Sequence, residues 1–161
     1  MIDLTDEFLK PSPGTIRYWP ADLAHPVAGS WDITIPLEPF SADDEYEPGT
    51  FRPGGGGPEI VRTEIMLDSV VLPAEGLAAL SRCSFAFPVR FEDGYVDGSI
   101  YLLAAHCPVD VTRIEFGEAV RGWIGATVHG ALDFAAAGGI GIHNRDVVLE
   151  TVLGFEVGRL V

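Results

Sequence analysis

Val109-Asp110-Val111-Thr112-Arg113-Ile114-Glu115-Phe116-Gly117-Glu118-Ala119-Val120-Arg121-Gly122-Trp123-Ile124-Gly125-Ala126-Thr127-Val128-His129-Gly130-Ala131-Leu132-Asp133-Phe134 decides the fold of this chain. Apolar and polar residues alternate on both sides of Arg121-Gly122, the period-two pattern of strands exposed on one face. Gly122 tolerates the positive φ that a type I′ turn needs, whereas Ala119-Val120 offers no residue that does. A hairpin turning at Arg121-Gly122 pairs Val120 with Trp123, Glu118 with Gly125, Phe116 with Thr127, Ile114 with His129, Thr112 with Ala131 and Asp110 with Asp133. Val109, Val111, Leu132 and Phe134 then form the core face, and Asp110, Thr112, Thr127, His129 and Asp133 share the other. Two carboxylates roughly 5 Å apart across strands recruit a cation, share a proton or splay into solvent, and an exposed sheet face favours splaying.

The same periodicity extends outward from this hairpin. Downstream, residues 146–157 alternate after the glycine-rich stretch 138–141. Upstream, Ser99 to Ala105 follows Asp93-Gly94 and Asp97-Gly98, and Phe85, Phe87, Val89 and Phe91 alternate with Ser84, Ala86, Arg90 and Glu92. Val61, Ile65, Leu67 and Val71 fall on one face of a further strand, opposite Arg62, Glu64 and Asp68. Trp31 to Ile35 reads as the first strand. Pro73 opens a short helix over residues 74–81, and Thr5 is placed to cap another through Lys10. The pattern predicts an all-β fold, an antiparallel β-barrel or β-sandwich of about seven strands with one or two short helices. Connections of about two to four residues in the second half join antiparallel neighbours and leave no room for βαβ crossovers.

At 161 residues, the chain reads as one β domain, residues 1–161, with a loop-rich N-terminal third. The long loop at about residues 36–59 carries the acidic run Asp43-Asp44-Glu45-Tyr46-Glu47 and the tract Pro53-Gly54-Gly55-Gly56-Gly57-Pro58, and it is expected to be mobile. Tyr18-Trp19-Pro20 mixes aromatics into a loop, where the rings are expected to cover the edge of the core. Cys83 and Cys107 lack metal or disulfide-framework spacing and are expected as free thiols. The acidic N-terminus and the lack of a long apolar run point to the cytoplasm.

With 24 acidic against 10 basic residues the net charge is −14, which disfavours nucleic acid and anionic membranes as partners and serves either solubility alone or the attraction of a basic protein. No nucleophile elbow, phosphate loop, metalloprotease helix or dinucleotide fingerprint is present. No histidine pair has metal-ligand spacing, and neither cofactor nor metal is expected. The leading expectation is a non-enzymatic, immunity- or inhibitor-like binding protein. It would present an acidic surface through Asp43, Asp44, Glu45, Tyr46 and Glu47, with Asp110, His129 and Asp133 on the hairpin's polar face. The alternative is a small barrel enzyme or ligand carrier with a polar site inside the barrel or on a sheet face.

Overall fold

A computed structural model describes residues 4–42, 59–102, 105–138 and 141–160 of the chain. Its strands are β1 (Gly14–Tyr18), β2 (Trp31–Pro36), β3 (Phe40–Ala42), β4 (Glu59–Val61), β5 (Glu64–Val70), β6 (Ser84–Ala86), β7 (Asp97–Leu102), β8 (Ala105–Val120), β9 (Trp123–Leu132) and β10 (Arg145–Val157). One α-helical turn, α1 (Leu77–Leu80), lies between β5 and β6, and Leu77 and Leu80 are both buried. The N-terminal helix expected over residues 5–10 is a single 3-10 turn, Asp6–Phe8, without a side-chain cap from Thr5.

Seven strands close into a barrel in the order β8-β7-β5-β2-β1-β10-β9, with β9 returning to β8. Every pairing in this ring is antiparallel except β1 with β10. The exception is a matter of parity. Each antiparallel step reverses strand direction, so six steps leave the first and seventh strands parallel, and an odd-numbered meander closes only through one parallel seam. The expected fold is therefore a barrel with this one departure from antiparallel pairing. The excursion after β2 is not wholly loop, because β3 and β4 pair with each other at its two ends. The acidic run at residues 43–47 and the glycine tract lie outside the described residues.

The core fills the ring. Trp31, Phe134, Ile16, Ile33, Ile65, Leu67, Ile100, Ile114 and Leu132 are almost wholly inaccessible, and each contributes about 1.5–3 kcal/mol by leaving water. Tyr18, expected in a loop, ends β1 and packs its ring 4.8 Å from that of Trp31. The alternation through Phe91 stops early: β6 ends at Ala86, and Phe91 is exposed. Val71, expected inside, is exposed too, and Val70 is buried instead. The cause is a bulge in which Ser69 takes φ 53° and the partner register slips between Trp31 and Ile33. No helix is long and apolar enough to cross a membrane.

Candidate functional site

The β8–β9 hairpin turns where the sequence places it. Arg121 and Gly122 take φ 51° and 79°, and Val120 pairs with Trp123. Two register shifts follow, one between Phe116 and Ala119 and one between Val111 and Arg113. The bulges bring Ile114 opposite Val128 and turn Ile114 and Phe116 into the core, where a regular strand would expose them. Past the second bulge Asp110 lies opposite Ala131, so the expected direct Asp110–Asp133 pairing is corrected to a diagonal one. The two shifts together restore the original face, and Asp110, His129 and Asp133 all point outward.

Arg90 joins the two aspartates. Its Nη2 donates to Asp133 Oδ2 at 2.6 Å, and its Nε lies 3.7 Å from Asp110 Oδ1. Of the three outcomes open to the carboxylate pair, the structure holds the cation, and the splaying expected of an exposed sheet face is corrected. All three side chains are less than one-third exposed, so their attraction is weakly screened. Asp133 also accepts from the Ala136 amide and the Asn144 side chain. The Arg90 hydrogen bond foremost, then these two, hold its carboxyl below the usual range against the opposing effect of desolvation. Cys107, buried in the wall nearby, has its thiol pushed up by burial and by the Asp133 charge.

His129 stands apart from this clasp. Its Nε2 lies 2.6 Å from Glu115 Oε2 and 3.3 Å from Arg113 Nη2. The hydrogen bond to His129 lowers the Glu115 carboxyl, with Arg113 adding to the effect. On an open sheet face this trio is a surface ion network.

A larger feature emerges when the register is followed around the barrel. Asp32 lies opposite the β5 bulge, Asp68 pairs directly with Asp97, and Asp97 stands one step beyond the Gly98–Val109 pair, level with Asp110. Asp110 leads through Ala131 to Asp146. Aspartates thus stand at one level on the outer face of β2, β5, β7, β8 and β10, with Ala131 at that level on β9. The two halves of this row differ. Arg90 offsets part of the charge of the β8–β9 half, whereas Asp68 and Asp97 form no salt bridge among the described residues and His106 acts on Asp68 only from a distance. Asp32 is engaged by neutral donors, the Trp19 indole at 2.6 Å and the Ser69 amide at 2.8 Å. Desolvation first, then the charges of Asp32 and Asp97, hold the Asp68 carboxyl above its usual range, with His106 pulling the other way.

Sequence periodicity places Asp68 on a polar face and Asp97 in a turn, but it cannot align them, because alignment depends on strand order. Arg90 escapes it because its loop folds back over β8 and β9. The one available signal is chemical: a cation is one of the three ways in which two neighbouring carboxylates are relieved. Among the described residues no group of three or more His, Cys, Asp or Glu is placed to hold a metal ion. Open surface hollows of about 440 Å³ beside Leu37, Met66 and Tyr101 and about 290 Å³ beside Leu4 and His143 are present. Trp31 and Phe134 are the bulkiest of the fully buried side chains. Comparison with protein-family models, with curated proteins and with solved structures finds no match.

Proposed function

We propose that this protein is a non-enzymatic binding protein of the cytoplasm whose acidic outer face receives a basic protein partner, in the manner of an immunity protein or inhibitor. One observation carries the reading: Asp68 and Asp97 face each other beside Asp32, on a wall backed by a filled barrel. Like charges directly opposite across strands repel, and a lysine or arginine from a partner would relieve that repulsion on binding. The net charge of −14 draws a basic protein toward the molecule at long range. A charged exterior over an apolar interior supports an aqueous location, since barrels in outer membranes have the reverse arrangement.

The test is capture of a partner from native lysate at about 0.05 M salt and its release at about 0.5 M, with the double variant Asp68→Lys/Asp97→Lys run in parallel. A partner retained by the wild type and lost by the variant is the expected result. Capture of nothing, or equal capture by both proteins, overturns the reading.

A further inference from the structure

Residues 88–95 link β6 to β7 and hold an aromatic side chain out into water. Phe91 is 83% exposed, the highest value among the exposed large hydrophobic residues described, and Val89 beside it is 53% exposed. The Phe91 backbone takes φ 70°, a region that bulky residues rarely occupy. Phe91 is the third residue of the turn closed by the Glu92 amide on Val89 O, where positive φ is required and glycine or asparagine is the usual occupant, and burial of the ring does not account for a phenylalanine there. Strained positions of this kind persist where the surroundings over-determine them, and they cluster at binding sites.

The surroundings hold the loop at several points. The Phe87 amide donates to the carbonyl of Thr112, a residue of the β8 bulge, at 2.9 Å, which moors the start of the loop. The Glu92 amide donates to Val89 O and the Tyr95 amide to Glu92 O, both at 3.1 Å, so that two consecutive turns fix the segment. Arg90 anchors it to Asp133 and Asp110 on the wall, and its guanidinium carbon lies 5.4 Å from the Phe91 ring centroid. Tyr95 packs edge-on to that ring at 5.9 Å. Glu92 and Asp93 follow in the loop itself, and Asp97, with Asp68 opposite it, begins the next strand. An exposed, pre-ordered aromatic with acidic residues beside it has the composition of a binding hot spot: the ring supplies buried area, the charges supply orientation, and rigidity lowers the ordering cost.

Resting on the acidic-surface reading above, we propose that Phe91 is the anchor of this interface, inserting into an apolar recess ringed by lysine or arginine on a basic protein partner.

Two synthetic peptides of equal positive charge serve as probes in calorimetric titrations: an amphipathic Lys/Leu helix, whose apolar strip stands in for the recess, and an oligo-lysine without one. The Lys/Leu peptide is expected to bind the wild type more tightly, and Phe91→Ala is expected to weaken that binding about tenfold while leaving oligo-lysine binding unchanged. Phe91→Trp is expected to restore it. Phe91→Gly relieves the backbone strain, so it is expected to melt no lower than the wild type while losing the same binding, which separates anchoring from folding. If both peptides bind and Phe91→Ala changes neither, the anchor is overturned and the acidic-surface reading stands. If neither peptide binds, the acidic-surface reading falls as well. A wild-type dimer in sedimentation that Phe91→Ala dissolves would make a second copy the occupant and overturn the basic partner.

Discussion

The two aspartates with shifted carboxyls, Asp133 and Asp68, lie on the same outer face and move in opposite directions. Asp133 is held low, chiefly by its hydrogen bond from Arg90. A carboxyl with a depressed folded pKa contributes stability that is full above its ordinary value of 3.8 and is lost as pH falls through the lowered one. Asp133→Asn removes a charge-assisted hydrogen bond from a half-buried arginine and is expected to cost about 1–2 kcal/mol at neutral pH. The difference from wild type should shrink below about pH 4. Asp68 is raised, so its contribution is present below its ordinary value and lost as pH rises through the raised one. Asp68→Asn is therefore expected to stabilise the protein by about 0.5 kcal/mol at pH 7, the scale of a like-charged cross-strand pair, and to be neutral near pH 3. Urea titrations of both variants at neutral and acid pH check the signs, and a Asp68→Asn variant less stable than wild type at pH 7 would contradict the assignment.

Among the elements, the β8–β9 turn was the most legible in the sequence, and its chemistry is open to improvement. Arg121 occupies φ 51° without being glycine. Asparagine tolerates that conformation better, so Arg121→Asn is expected to gain about 0.5 kcal/mol, whereas Gly122→Ala at φ 79° is expected to lose about 1 kcal/mol. Thermal melts of the two variants test this pair of opposite signs. Period-two alternation located β2, β5, β7, β8, β9 and β10 because each buries one face. β1 escaped because Gly14-Thr15-Ile16-Arg17-Tyr18 has only two large apolar side chains and sits among prolines. The bulges at Ser69, Thr112 and Gly117–Glu118 were not legible either, since a bulge is set by how the ring closes and not by local propensity. The consequence for the site is direct. The outward faces of Asp110, His129 and Asp133 were readable, while the diagonal offset and the Arg90 clasp needed the third dimension. Close approach adds a second test: a β-carbon at Gly130 would lie 2.6 Å from the backbone oxygen of Asp110. Gly130→Ala is thus expected to destabilise the β8–β9 pairing by about 1–3 kcal/mol, measurable as a lower urea midpoint.

Across the whole molecule the question is whether salt stabilises or destabilises, because two electrostatic effects compete. Arg17, Arg82, Arg90, Arg113 and Arg145 each lie against a carboxylate, Arg145 against Asp6. Screening these pairs removes stability, but exposed pairs contribute only about 0.2–1 kcal/mol each, and often nothing. Against them stands an excess of 14 negative charges on a barrel small enough that many lie within about 10 Å of one another, the Debye length at 0.1 M. Self-repulsion of that size destabilises the compact state more than the pairs support it, and the repelling Asp32–Asp68–Asp97 group concentrates it on one face. Salt is therefore expected to raise the melting temperature at pH 7. A relief of about 1–2 kcal/mol corresponds to roughly 3–6 °C for a chain of this size. Near the isoelectric point of about 4.4 the excess disappears, and the sign should reverse because only the pairs remain to be screened. Calorimetric melts from low to about 0.5 M sodium chloride at the two pH values make the comparison. A melting temperature at pH 7 that falls with salt would mean that the paired arginines, and not the acidic excess, dominate the stability of the barrel.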